Sequence, residues 1–368
     1  MNQLFFVKKG RLEWREVARP TISDKQQAVV RPFAVAKCDL DDAFLFNNLS
    51  LKLRIGKAIG QVDPRFQSIF GNLFNGPFPF GHECVAEVVE VGEGVVDFKA
   101  GDVVSVPFQI SCGACQSCVS GITSACDNTP PRSMYGFGNH LQFGGAMSDF
   151  IKVPFADAML LKIPENVDPV HLASLSDNIP DAYRHLRDIE HNPNQRVLIV
   201  SGKAKSVGIY ALMLAKAMGV AEVDYADRNT ERLEIAKKLK ANNVFDSYQQ
   251  ISKKYDLVID ASSTSSGLST ALRSVRNFGT VSSSGIYIRK TPLSLVEMYA
   301  KGITLKMGIA NARTDAQKIL DLLKNVTIPF ELATTKLETW DHAEEAFLTE
   351  STKVIVKRDR QSQNQDKS

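Results

Sequence analysis

Four cysteines within fifteen residues, Cys112, Cys115, Cys118 and Cys126 in the segment CGACQSCVSGITSAC, constrain this chain more tightly than any other feature. Their C-x2-C-x2-C-x7-C spacing lets four thiolates of one loop close a tetrahedral shell around zinc. Such a shell leaves no open position for water, so it holds a loop in place and does no chemistry. The chain opens MNQLFFVKKGRLEW, whose apolar run is too short for a secretory core. Six cysteines in that context point to a reducing cytoplasm and to metal ligation rather than to disulfides.

A chain of 368 residues is long for one core, and two domains are expected. The first 160 or so residues hold short β-like runs broken by Gly and Pro. HECVAEVVEVGEGV (82–95) alternates as a half-buried strand does, and GDVVSVPF (101–108) supplies another. From about 165 to 300 the pattern changes to strand–helix alternation. It predicts strands at 197–200, 222–226, 256–260 and 279–284, and helices at 207–218, 229–241 and 266–277. That is the pattern of an α/β fold with a doubly wound parallel sheet. Beyond 306 come helices at 315–324 and near 341–348 and a closing strand, KVIVK. The polar residues 358–368 read as a disordered tail. The net charge of +3, with both signs mixed, gives no sign of a nucleic-acid or membrane partner. Residues 44–80 carry seven phenylalanines, Phe44, Phe46, Phe66, Phe70, Phe74, Phe78 and Phe80. Three of them, Phe66, Phe70 and Phe74, share one helical face, either as local core or as a pocket wall.

The turn after the first parallel strand, in VLIVSGKAKSVG (197–208), is where a dinucleotide-binding chain places G-x-G-x-x-G. Lys203 and Lys205 stand at the first two glycine positions and Gly208 at the third, with Gly202 displaced by one. Gly208 keeps the close helix–strand packing. Lys205 stands where bare backbone would approach a pyrophosphate, although an ammonium there could neutralise phosphate charge beside Ser206 and Val207 at the helix start. The second strand ends in Asp227, 19 residues after Gly208, near the spacing of the acid that binds an adenosine ribose. A carboxylate there repels a 2′-phosphate and favours NAD over NADP. Arg228 could stack on adenine or be a surface charge.

Cys38 in AKCDLDD, His82 and Glu83 in PFGHE, and Asp177 in LASLSDNIPDAY form a looser set. A thiolate, an imidazole and a carboxylate can hold a zinc with one open position. Taken singly, Cys38 could be a buried hydrophobe, His82 a turn histidine and Asp177 a helix cap.

Over nearly its whole length the chain resembles the zinc-dependent medium-chain alcohol dehydrogenases. The matching pieces are GRLEWREVARP, GHE, the four-cysteine loop, LSD, the strand–turn–helix at 197–218 and KVIVK. The resemblance implies a GroES-like, mostly β catalytic domain over 1–165, to which 306–357 return, and a Rossmann cofactor domain over 166–305. It implies two zincs per chain and NAD. Cys38, His82 and Asp177 hold the catalytic zinc, Glu83 stands behind it, and Asp41 orients the histidine. It also implies a homodimer or homotetramer, with GITLKMG (302–308) at the subunit interface.

Three departures qualify this. Leu40 replaces the hydroxyl residue that normally takes the alcohol proton. The segment between Cys38 and His82 is long, which makes the Phe-rich stretch an insertion beside the substrate cleft and suits a bulky or aromatic substrate. Asp181 stands where the family has a threonine beside the nicotinamide, and needs a partner such as Arg184 or His185. The expected activity is hydride transfer between NAD(H) and a small-molecule alcohol or carbonyl substrate, which can be bulky or aromatic. Its rival is a member of the same fold, binding protein or redox-neutral enzyme, that has lost that reaction.

Overall fold

The computed structural model of the protein describes residues 1–62, 74–138, 141–191 and 194–360. Six strands form one sheet, in the spatial order Val244–Phe245, Glu222–Ala226, Arg196–Ser201, Tyr255–Ala261, Val275–Ser283 and Thr304–Met307. Every neighbouring pair is parallel. In chain order this is the 3-2-1-4-5-6 arrangement of a doubly wound fold, whose ligand crevice opens where the order reverses. That point lies at the carboxyl ends of Arg196–Ser201 and Tyr255–Ala261. Val197, Leu198, Ile199 and Val200 are all fully buried, as a central strand covered on both faces requires.

The helix after that strand, Lys205–Ala217, begins two residues earlier than the sequence pattern suggests and has no side-chain cap of its own. The next two helices are capped locally. Asn229 accepts from the Arg232 N–H and Thr264 from the Gly267 N–H. A Cβ on Gly208 would lie 2.6 Å from the Ser201 oxygen, so close helix–strand packing does fix this glycine.

The β-rich part is a seven-stranded sheet in the order Lys336–Thr339, Val354–Lys357, Ala28–Ala36, Glu83–Val91, Val103–Val106 and Leu161–Lys162, with Ile151–Val153 also pairing on Ala28–Ala36. A smaller sheet joins Arg11–Glu16, Asn2–Lys8 and Phe78–Pro79. One apolar cluster joins Phe33, Val85 and Leu161 of this part to Ile199, Val207 and Tyr210 of the parallel-sheet part, so the two halves share core. Among the described residues no helix is long and apolar enough to cross a membrane.

Phe44, Phe74, Phe78 and Phe80 are buried. Phe44 packs against the rings of Phe6, Phe78, Phe80 and Phe74 at 4.8–6.3 Å. They are local core, each worth about 1.5–3 kcal/mol of burial. Phe66 and Phe70, the other two members of the expected helical face, lie outside the described residues.

The expected tail is corrected at its start. The Arg358 guanidinium donates to the carbonyls of Pro32, Ser148 and Asp149 and to the Asp149 carboxylate, and lies 3.9 Å from the Trp340 ring. A polar composition is compatible with docking when each N–H finds an acceptor and the planar cation finds a ring. Residues 361–368 lie outside the described residues.

Asp181 pairs with Arg184 at 2.5 Å, and burial still pushes its carboxyl above the usual range. His185 turns instead to Ser282 and Ser284, with Nδ1 at 2.7 Å and Nε2 at 2.9 Å from their hydroxyls. Burial, reinforced by the charges of Arg184 and Arg187, holds the imidazole well below its ordinary range, so it is neutral in the fold. The unfolded chain gains this proton near pH 6.5 and the native one does not. Stability is therefore complete above pH 6.5 and declines below it, by up to about 1.4 kcal/mol per pH unit. Denaturant titrations at pH 7 and 5.5 should show this, and His185→Gln should reduce the difference.

Candidate functional site

The four thiols of the cysteine loop converge. Their sulfurs lie within 4.8 Å of one another, and Cys115 and Cys126 are 3.9 Å apart. Sulfurs sharing one tetrahedral zinc at 2.3 Å would be about 3.8 Å apart. Backbone N–H groups point at them, Ala114 and Cys115 toward the Cys112 sulfur at 3.4 Å and Asp127 toward Cys115 at 3.3 Å. Partial burial opposes ionisation of Cys112, but these N–H groups and the neighbouring thiols outweigh it and bring the thiol down to about 7. Such donors favour a thiolate, which is the form that binds zinc.

The second cluster is assembled from three places in the chain. Cys38 follows the strand Ala28–Ala36, His82 precedes Glu83–Val91, and Asp177 stands at the start of the helix Asn178–Arg184. Gly81 aims the histidine. Its φ is +89°, and a Cβ there would meet the Met147 nitrogen at 2.9 Å. Asp177 occupies the cap position of its helix but makes no cap hydrogen bond. Its Oδ2 lies 3.2 Å from the Cys38 sulfur and 3.3 Å from His82 Nε2. Atoms 2.0–2.3 Å from a common tetrahedral ion are separated by about 3.3–3.5 Å, so the spacing suits zinc.

Charge points the same way. Burial raises the Cys38 thiol well above its usual range, and the carboxylates of Asp177 and Glu83 raise it further. Burial pulls His82 down, yet Asp41 and Asp177 outweigh it and leave the imidazole raised. Asp41 is pushed up to about 7 by burial. A thiol and several carboxylates gathered around one imidazole suit a bound cation beside the single ammonium of Lys353. Asp41 Oδ2 accepts from the Cys38 N–H at 3.0 Å, while its Oδ1 faces His82 Nδ1 at 3.9 Å. Both of those facing atoms are buried without a hydrogen bond. Asp41 thus stands behind the histidine, slightly beyond hydrogen-bond reach.

Glu83 belongs to the same group of ligand atoms but is held from behind. Its Oε2 accepts from Ser174 Oγ at 2.6 Å and from Lys353 Nζ at 3.1 Å, and Glu83 and Lys353 are both fully buried. The Asn178 amide, turned so that its nitrogen faces acceptors, donates to Glu83 and Asp177 and accepts from Lys353 and Ser206. Leu40 packs on the β-rich core and offers no hydroxyl. The rings of Phe137 and Phe108 stand 4.5 and 5.6 Å from the His82 ring.

At the glycine-poor turn the structure departs from the expectation. Lys205 does not face open solvent. Its Nζ binds Asp42 Oδ2 at 2.5 Å and the Ser351 carbonyl at 3.3 Å. Lys203 is exposed, and its N–H donates to the Ser262 carbonyl. The N–H groups of Ser206 and Val207 donate to Asp39 at 2.8 and 3.2 Å, and the Ser206 hydroxyl donates to the same carboxylate at 3.0 Å. Asp227, expected free for a ribose, is gripped by Arg232 through two bonds at 2.6 and 2.9 Å. It also accepts from the Tyr225 hydroxyl and the N–H groups of Arg228 and Asn229. Arg228 itself lies over the Tyr248 ring at 5.2 Å.

Asp39, Asp42, Arg232 and Lys353 do not stand out in the sequence. The acid run CDLDD is the available signal for the first two. Nothing local marks Arg232 or Lys353, because their partners come from distant segments.

Two family models match the chain. One is described as an alcohol dehydrogenase GroES-like domain, over residues 25–165, and the other as a zinc-binding dehydrogenase, over 206–325. Zinc-type alcohol dehydrogenase B of Aspergillus flavus is 30% identical over 264 residues, 67% of this chain and 60% of that protein. The chain thus spans less than two thirds of that relative's length. An alcohol dehydrogenase of Geobacillus stearothermophilus is 28% identical over 341 residues, 90% of each chain. Among solved structures, an alcohol dehydrogenase from Thermus sp. ATN1 superposes with a TM-score of 0.79 at 27% identity, covering 97% of this chain and 99% of that one.

Metal analysis of the purified full chain should find about two zinc equivalents. Cys115→Ser should remove one and lower the unfolding midpoint by roughly 5 °C or more, since an incomplete shell leaves the loop unanchored. His82→Ala should remove the other with little change in midpoint. A single zinc in the fully loaded wild type would rule out the second centre.

Proposed function

The chain belongs to the zinc-dependent medium-chain alcohol dehydrogenase family, and from that premise we propose that it transfers hydride between NAD(H) and an alcohol or carbonyl substrate. The observation that carries the reading is the adjacency of the three-ligand cluster and the dinucleotide turn. Asp39, next to Cys38, and Asn178, next to Asp177, both touch Ser206 at the start of the helix Lys205–Ala217. A substrate oxygen at the cluster is thereby brought to the crevice of the parallel sheet.

Cys38, His82 and Asp177 would hold the catalytic zinc, which when bound supplies Lewis-acid polarisation of the substrate oxygen. Lys353 and Ser174 engage Glu83 Oε2, which would make Glu83 less free than the other three residues to take a ligand position. Asp41 faces His82 Nδ1 from behind and would orient the ring once the 3.9 Å gap closes to a hydrogen bond. The buried rings of Phe137 and Phe108 beside His82 make the surroundings of the cluster apolar, which suits the carbon skeleton of an alcohol or carbonyl substrate, including a bulky or aromatic one. Residues 1–165 with the segment after Met307 form the catalytic domain and 166–307 the cofactor domain, whose last strand runs two residues past the expected boundary at 305. The protein works in the cytoplasm. NAD(H) rather than NADP(H) follows from Asp227, provided Arg232 yields its carboxylate to the ribose.

The strand Thr304–Met307 ends the parallel sheet, with Met307 and Ile309 half exposed and Val296 and Tyr299 on the preceding helix more so. An apolar open edge of this kind suits pairing with a second copy across a two-fold axis.

Fluorescence titration should detect NADH binding, with weaker binding of NADPH. His82→Ala should abolish alcohol-dependent NADH formation while leaving NADH binding in place. Failure of the zinc-loaded wild type and its cofactor-site variants to bind NADH would leave the redox-neutral reading. A monomeric mass at micromolar concentration would exclude the paired edge.

A further inference from the structure

The N–H groups of a helix N-terminus at a sheet's switch point are the natural seat for the phosphates of a dinucleotide. Here that seat already holds an anion. Asp39 reaches across from the β-rich part and accepts from the N–H groups of Ser206 and Val207 and from the Ser206 hydroxyl. The 13-residue helix has no side-chain cap within its own segment, so Asp39 is its cap. Apart from the exposed Lys203 side chain, neighbouring groups that would draw a phosphate are also engaged. The N–H groups of Lys203 and Ala204 donate to the carbonyls of Ser262 and Ala261. Lys205 Nζ is bound to Asp42 Oδ2 at 2.5 Å, and Asp42 Oδ1 is bound in turn to Lys37 Nζ at 2.9 Å.

We propose that Asp39 is a built-in competitor for the phosphates of the dinucleotide, which seats only when this carboxylate leaves the helix start. The proposal rests on the dehydrogenase reading for the identity of the ligand, but its geometry stands independently. Asp39 and a bound phosphate would claim the same N–H donors, and two anions in one partly buried seat repel each other. Asp39 directly follows Cys38 in sequence. Withdrawing its carboxylate therefore shifts the segment that carries a zinc ligand, and cofactor entry and the geometry of the metal cluster become linked. Asp39 sets the affinity of the cofactor seat in this account. It touches the cofactor seat and takes no part in hydride transfer.

A purely structural role makes the opposite prediction. If Asp39 only braced the helix start, its removal would disorder the seat and weaken cofactor binding. If it competes, removal strengthens binding even though the cofactor-free protein becomes less stable. The full-length, zinc-replete protein should be titrated with NADH and, separately, with ADP, which carries the phosphates without nicotinamide. Asp39→Ala should bind both at least about tenfold more tightly than wild type, the factor expected when a charged competitor is removed. Asp39→Asn should fall between them, because the amide oxygen still accepts from the same N–H groups but carries no charge. Unchanged or weaker binding of both ligands by the variants, with zinc content intact, overturns the proposal and leaves the dehydrogenase reading in place. Should Asp39→Ala fail to fold, Asp39→Asn decides between the two roles by the same direction of change. Tighter ADP binding with no NADH binding in any form upholds the proposal and removes the dehydrogenase reading. No binding of either ligand by any form overturns both.

Discussion

The turn from Cys38 to Asp42 is the joint on which the two halves of this protein depend. Cys38 points into the metal cluster, Asp39 caps the first helix of the parallel-sheet domain, Asp41 stands behind His82, and Asp42 bridges Lys37 and Lys205. Four residues of this five-residue turn thus serve the candidate metal cluster, a helix dipole and an ion pair between the two halves. A shift in any of these contacts is felt by the others, because a five-residue turn has few free torsions. The charge-assisted bonds to the helix start are among the stronger contacts available at such a joint.

Behind the cluster lies a second, largely buried polar layer. Lys353 donates to Glu83 and to the Lys37 carbonyl, and Lys37 donates to the Thr349 carbonyl and pairs with Asp42. Burying such ions costs several kcal/mol each, and attraction compensates only where geometry and remaining hydrogen bonds are good. Here each ammonium has several acceptors. Mutual attraction holds Lys353 protonated despite its burial. A buried layer of this kind contributes less to stability than to position. It keeps Glu83 a fixed distance behind the other ligands, and removing either partner would leave the other charged and unpaired.

Much of this is legible in the sequence for local reasons. The four-cysteine loop carries its own spacing, and the parallel strands carry continuous apolar runs flanked by amphipathic helices. The strand Glu222–Ala226 lies where the sequence places it, and the closing KVIVK becomes Val354–Lys357. Where structure and expectation part, the cause is a partner supplied from far along the chain. Helix Lys205–Ala217 starts early because Asp39, well over a hundred residues away, caps it. Arg358 leaves the expected tail because Pro32, Ser148 and Asp149 accept from it.

The sequence by itself determined the parallel sheet and the four-cysteine set, since each depends on periodicity or spacing within a short segment, while the second set of candidate ligands, drawn from three distant segments, was legible only through the family resemblance. Only the tertiary structure decided how the charged residues of the cofactor turn are used. Lys205 reads either as an obstruction to a pyrophosphate or as a charge for it, and Asp227 as an acid for a ribose, yet Asp42 and Arg232 hold them. The reason is physical. A side chain's charge is written in the sequence, but its electrostatic role depends on which opposite charge lies within about 4 Å, and that distance exists only once the chain has folded.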